Sequence, residues 1–159
     1  MDELLEIIRA NALLSREDIG RMLDLSAAEV NARIADYEKR GIIRGYQAIL
    51  NEDQLDLDKV TAVIEVKVQP QREGGFDYIA ERISRFPEVR SSYLMSGTYD
   101  LLLFVEGRTL REVAQIVSER LAPLEGVLST STHFMLKTYK RLGVLMYQEA
   151  SDERLSIAP

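Results

Sequence analysis

Leu25-Ser26-Ala27-Ala28-Glu29-Val30-Asn31-Ala32-Arg33-Ile34, continuing through Tyr37-Glu38-Lys39-Arg40 to Gly41, decides how the first part of this chain is read. Ser26 and Glu29 have capping-box spacing: the serine oxygen accepts the N–H three residues on, and the glutamate reaches back to the serine N–H. A helix therefore starts after Ser26. Leu25 and Val30 stand at hydrophobic-staple spacing, and Gly41 supplies the left-handed stop favoured past a helix end.

The same device occurs eleven residues earlier, where Ser15 and Asp18 are flanked by Leu14 and Ile19, so a short helix is expected from Arg16 to about Leu25. An earlier stripe, Leu4, Leu5, Ile7, Ile8 and Ala12, predicts a first helix. Three helices in this order form a helix-turn-helix unit whose last member is a candidate recognition helix. Capping pairs alone would serve any helical hairpin equally well.

The chain has 159 residues, 46% hydrophobic and 29% charged, enough for one ordinary domain or two small ones. It has no cysteine, which excludes a disulfide framework, a thiolate nucleophile and a cysteine zinc site. No apolar run of membrane-spanning length and no signal-like N-terminus is present, so a cytoplasmic protein is expected. The formal charge is −6, and residues 1–50 carry seven basic against nine acidic side chains, the wrong sign for coating nucleic acid indiscriminately. DNA binding by such a unit needs help from oligomerisation.

Ile42 to Asn51 is β-favouring and suits a short wing or connecting strand, which makes 1–50 the first domain. Residues 51–59 are polar and acidic and read as a linker. From Val60 the pattern alternates, with Val60, Ala62, Ile64, Val66 and Val68 on one face of a strand. A turn at Pro70–Gly75 precedes a helical stripe of Phe76, Ile79, Ala80, Ile83 and Phe86. Glu88–Ser96 and Tyr99–Glu106 read as strands joined by a tight turn at Gly97-Thr98. Leu110, Val113, Ala114, Val117 and Leu121 mark another helix, and Val127–Lys140 a last strand. The order βαββαβ is the ferredoxin-like α+β arrangement, assigned to residues 60–147, with 148–159 as a fraying tail.

Such a sheet covers one face with helices. Leu101-Leu102-Leu103-Phe104-Val105 is apolar toward both, so the second face calls for a cover. A second subunit is one candidate, and the chain's own Leu142–Tyr147 is the other.

At this point the chain resembles the Lrp/AsnC family, the leucine-responsive and feast/famine regulators. Leu25-Ser26 with Val30, Arg33, Ile34, Gly41, Ile43, Gly45, Tyr46, Ala48 and Asn51 is similar to the family's L-S-x-x-x-V-x-x-R-I and G-x-I-x-G-Y-x-A signature. Phe86-Pro87-Glu88-Val89, Gly97-Thr98-Tyr99-Asp100, Gly126-Val127 and Thr130-Ser131-Thr132 resemble its F-P-x-V, G-x-Y-D, G-V and T-x-T landmarks. The resemblance implies a sequence-specific DNA-binding regulator that answers to a small amino acid or related metabolite. It also implies homodimers assembling to tetramers or octamers, with small-molecule sites between effector domains and no other cofactor. Two departures stand out. Ala27, Ala28, Glu29, Asn31 and Ala32 occupy positions where members often carry more basic and hydroxyl side chains. Gly20 replaces a common alanine, a change worth up to about 1 kcal/mol in a helix interior.

The candidate DNA-contacting residues are Ser26, Ala27, Ala28, Asn31, Arg33, Lys39, Arg40 and Arg44. Arg33 could equally pair with Glu29 or Asp36 along the helix, and a helix dipole alone selects Lys39 and Arg40 near a C-terminus. The candidate effector residues are Gly97, Thr98, Tyr99, Asp100, Thr130 and Thr132. N–H groups at the glycine turn suit a carboxylate and Asp100 an ammonium, although a plain hairpin turn capped by aspartate has the same sequence. His133, the only histidine, reads as an ordinary strand residue, and no metal or catalytic motif is present. Two other functions compete. One is an enzyme similar to the sirohaem decarboxylases, which share this architecture but lack the G-x-Y-D turn and carry histidine and arginine in the corresponding region; the other is a co-regulator with a degenerate DNA-binding unit.

Overall fold

Each of the first three helices begins on a side-chain cap. Asp2 accepts from Leu4 N at 2.9 Å ahead of α1 (Glu3–Ala10), and Ser15 accepts from Asp18 N at 3.0 Å ahead of α2 (Arg16–Leu23). Ser26 and Glu29 form both bonds of the capping box ahead of α3 (Ala27–Lys39). The computed structural model describes residues 1–70 and 75–147, so most of the expected Pro70–Gly75 turn and the whole tail lie outside the described residues. The chain divides into two units, Met1–Ile49 and Leu50–Pro159.

In the first unit, Leu4, Ile8, Ile19, Val30 and Ile34 form the buried core. Helix α3 stops in a Schellman turn: Ile42 N donates to Tyr37 O, Gly41 N donates to Glu38 O, and Gly41 takes φ +70°. Helix α2 ends two residues short of expectation because Asp24 adopts φ 54° and turns the chain into the cap of α3. That turn explains Gly20. A Cβ there would lie 2.4 Å from the backbone oxygen of Leu25, so the close approach of the turn requires glycine. Residues 43–50 form no strand, because no segment among the described residues pairs with them; this corrects the expected wing.

The second unit contains β1 (Val60–Val68), α4 (Asp77–Ser84), β2 (Val89–Leu94), β3 (Leu101–Gly107), α5 (Leu110–Ile116) and β4 (Val127–Phe134). Helix α5 runs into a π-helical turn at Val117–Leu121. The antiparallel sheet has the order β2-β3-β1-β4, the ferredoxin-like arrangement. Ala62, Ile64, Val66, Leu101, Leu103 and Val105 are buried against Ile79 and Ile83 of α4 and Val113 and Ile116 of α5. The opposite face carries Val63, Glu65, Lys67, Leu102, Phe104, Tyr93, Ser131 and His133, all half-buried or exposed.

Two boundaries differ from expectation. Strand β4 ends at Phe134, opposite Ala62, because β1 has almost run out there, and the chain turns back as a hairpin of β5 (Lys140–Arg141) and β6 (Val144–Leu145). Residues 51–59 are folded onto the second unit rather than forming a bare linker. Glu52 accepts from Lys59 Nζ at 2.7 Å and from Arg141 Nη1 at 2.9 Å, and Lys59 also pairs with Glu106 at 2.7 Å. Asn51 Nδ2 donates to Met146 O at 2.8 Å, which holds the C-terminal hairpin beside this segment.

Candidate DNA-reading helix and effector turn

Val30 and Ile34 anchor α3 in the core, so the 3.6-residue period turns Ala28, Ala32, Ala35 and Lys39 outward, and all four are exposed. The centre of the candidate reading surface is thus small and apolar, except for Lys39 at its C-terminal end. Its charges lie on the two flanks.

One flank carries Glu29, Arg33, Asp36 and Arg40. Glu29 is spent on the cap, where the Ser26 hydroxyl and N–H hold its carboxyl below the ordinary value. Asp36 accepts from Arg40 Nη1 at 3.0 Å, so Arg40 is engaged along its own helix. Arg33 therefore makes no ion pair with Glu29 or Asp36 among the described residues, and its exposed guanidinium remains available. Arg44 folds back over the end of α3, since a Cβ on Gly41 would lie 3.3 Å from its Nη1.

The other flank carries Asn31 and Glu38. Arg16 Nε donates to Asn31 Oδ1 at 3.2 Å, and the Tyr46 hydroxyl donates to Glu38 Oε1 at 2.9 Å. Sequence reasoning missed Arg16. It stands fifteen residues from Asn31, on another helix, and no local spacing marks it. Ser26 and Ala27 sit at the helix start, with the serine oxygen committed to the cap.

In the second unit, the glycine turn closes the β2–β3 hairpin against the end of β1. Gly97 takes φ +140° with open space where a Cβ would be. Asp100 N donates to Val66 O at 3.0 Å, and Asp100 Oδ2 accepts from Val68 N at 2.8 Å. One carboxylate oxygen thus frames the turn, as the plain hairpin reading expects. Among the described residues the N–H groups of Gly97, Thr98 and Tyr99 make no backbone hydrogen bond. Thr130 pairs with Val66 on the far side of β1, at the same end of the sheet, two strand spacings or about 10 Å away. Thr132, opposite Ile64, is one step farther along. Both threonines share the helix-covered side with Ile64 and Val66 and are half-buried. A cavity of about 280 Å³, lined by Asn51, Glu52, Leu55, Lys59 and Arg141, lies at the opposite end of β1.

His133 is exposed on β4, 3.2 Å from Ser131 Oγ and 3.7 Å from Glu65 Oε1. Among the described residues no group of three or more His, Cys, Asp or Glu side chains comes together as a metal site, and no helix is long and apolar enough to cross a membrane.

Comparison with known proteins agrees with both halves of this arrangement. Residues 3–44 match the winged helix-turn-helix DNA-binding family, and residues 61–145 match the Lrp/AsnC ligand binding domain. The chain is 42% identical over 158 residues to the uncharacterised HTH-type transcriptional regulator YugG of Bacillus subtilis, covering 99% of this chain and 95% of that one. It is 32% identical over 134 residues to the proline dehydrogenase transcriptional activator of Rhodobacter capsulatus, covering 84% and 86%. A transcriptional regulator of Neisseria meningitidis, crystallised with L-methionine, shares the fold with a TM-score of 0.69, 23% identity and 91% and 96% coverage. Matched at both units and along nearly its whole length, the chain belongs to the Lrp/AsnC family of transcriptional regulators.

Proposed function

We propose that this protein is a cytoplasmic, non-catalytic regulator that reads DNA with α3, and whose affinity for DNA answers to a free amino acid or related metabolite held at Gly97–Tyr99. The carrying observation is the turn itself, where three successive N–H groups without backbone partners among the described residues stand beside the framing carboxylate of Asp100. A zwitterion brings one carboxylate and one ammonium about two bonds apart; the N–H groups suit the first and the remaining Asp100 oxygen the second. The L-methionine bound by the Neisseria relative supports this ligand class. The exposed turn offers only one wall, and the incompletely covered Val63, Leu102, Phe104 and Tyr93 on the open sheet face support a homodimer that supplies the other. Glycine and aspartate stand at this turn, in the region where a sirohaem-decarboxylase-like enzyme would carry histidine and arginine, which favours the regulator.

Calorimetric titration of the full chain with each of the common amino acids tests the proposal. A dissociation constant in the micromolar-to-millimolar range, about −8 to −4 kcal/mol, is expected for at least one. A complete panel without heat of binding removes the sensing function.

A further inference from the structure

Asparagine on a recognition helix reads adenine by using both ends of its amide at once, accepting from N6 with its oxygen and donating to N7 with its nitrogen. Asn31 is not free to do this. Arg16 has only donors, so the atom facing its Nε at 3.2 Å is the Asn31 oxygen, and the amide plane is fixed by that bond. What remains to present outward is Nδ2, a donor. The second lone pair of Oδ1 sits beside a guanidinium cation, where the amino group of a base, itself a donor, is repelled.

We infer that the Arg16–Asn31 pair makes position 31 a reader of carbonyl-bearing bases, guanine through O6 and N7 or thymine through O4, and that Arg16 is the positioning residue that denies it adenine. The inference rests on α3 being the recognition helix, as proposed above. Arg16 is half-buried and Asn31 exposed, so the pair is anchored on the α2 side and open on the other. Four guanidinium N–H groups of Arg16 remain after the bond to Asn31, and among the described residues none is used in an ion pair. They suit a phosphate, which fixes register without reading sequence.

The test is selection from a random-sequence duplex DNA library by the full chain, with Asn31→Ala marking the base position that Asn31 reads. The unaltered protein is expected to favour guanine or thymine there over adenine by about fivefold or more. Arg16→Met, which keeps the stem and removes the donors, shifts that one position toward adenine. Arg16→Lys, which restores a donor, keeps the original preference with weaker binding overall. Because a cation at the first position of a helix opposes the dipole, the loss of Arg16 leaves α2 intact, and Arg16→Ala repeats the test with the residue most compatible with a helix. The inference is overturned if the unaltered protein already prefers adenine at that position, if Arg16→Met lowers affinity equally for every sequence, or if Asn31→Ala alters no position. Failure of the unaltered protein to enrich any sequence instead overturns the DNA-binding reading, and this inference with it.

Discussion

Asp100 and Val68 are joined by a hydrogen bond of 2.8 Å from the strand's N–H to the carboxylate, so the side chain proposed above to meet a ligand's ammonium is also the one that fastens the turn to β1. Asp100→Ala leaves the N–H of buried Val68 without its acceptor and is expected to destabilise the second unit by about 1–3 kcal/mol. Asp100→Asn, which keeps an acceptor, is expected to cost less. Thermal melts of both variants, with and without a bound amino acid, check this: a loss for Asp100→Ala that vanishes without ligand contradicts the framing role.

Leu103 and Phe104 are neighbours in β3 that face opposite ways. Leu103 lies in the helix-covered core, and Phe104 meets the ring of Tyr93 edge-on at 6.2 Å on the other face. Leu103→Asp buries an unpaired charge and is expected to unfold the unit, whereas Phe104→Asp is expected to yield a folded monomer. Circular dichroism with native mass spectrometry separates the two. An unaltered protein that is monomeric at micromolar concentration contradicts the sheet-face dimer.

Gly20→Ala stabilises an ordinary helix interior, but here the new methyl meets the Leu25 carbonyl at 2.4 Å. The turn between α2 and α3 has to move, and a loss of about 1–3 kcal/mol is expected from the overpacking. Denaturant melts decide the sign. A gain in stability contradicts the close approach.

The ends of the fold's pH range are set in part by Glu52 and Lys59. Hydrogen bonding to Lys59, then burial in opposition, then Arg141 act on Glu52, and its carboxyl is held below the ordinary 4.5. For Lys59 burial works against the charge, but Glu106 and Glu52 outweigh it and raise the ammonium above 10.5. A depressed carboxylate gives stability that is present above its unfolded value and lost as pH falls through the folded one. A raised lysine gives stability that is present below its unfolded value and lost as pH rises through the folded one. The network is therefore complete between about pH 4.5 and 10.5 and weakens on both sides. Glu52→Gln is expected to flatten the acid limb of the melting temperature measured against pH; an unchanged limb contradicts the contribution of Glu52.

The elements were legible where sequence carries a local signal. Ser15, Ser26 and Gly41 are short-range cap and stop residues, and the alternation from Val60 to Val68 needs only one buried face. The missing parts depend on contacts between distant segments. The pairing of Arg16 with Asn31, the anchoring of 51–59 by Lys59 and Arg141, and the position of Thr130 two strand spacings from the glycine turn, across β1, follow from tertiary placement, not from spacing. Ile42–Asn51 differs for a related reason: its β propensity is real, but a strand needs a partner, and the described residues supply none there.

Among the cations of the candidate reading surface, Arg33 and Arg44 are expected to act differently. Arg33→Ala weakens specific binding by about 1–3 kcal/mol if it meets a base edge, whereas Arg44→Ala weakens all sequences alike and lowers the salt slope by about one. Fluorescence anisotropy on a selected duplex and a scrambled one, at several salt concentrations, makes the distinction. Equal effects of the two substitutions on both duplexes contradict the assignment of Arg33 as a reader.

The central claim, DNA reading by α3 governed by a small zwitterion at the glycine turn, is tested most directly by gel retardation of the DNA upstream of the protein's own gene, with and without each amino acid. The account predicts a retarded complex whose midpoint concentration moves in the presence of at least one amino acid. Absence of a complex with any upstream duplex, or a midpoint unmoved by the whole panel, would contradict it.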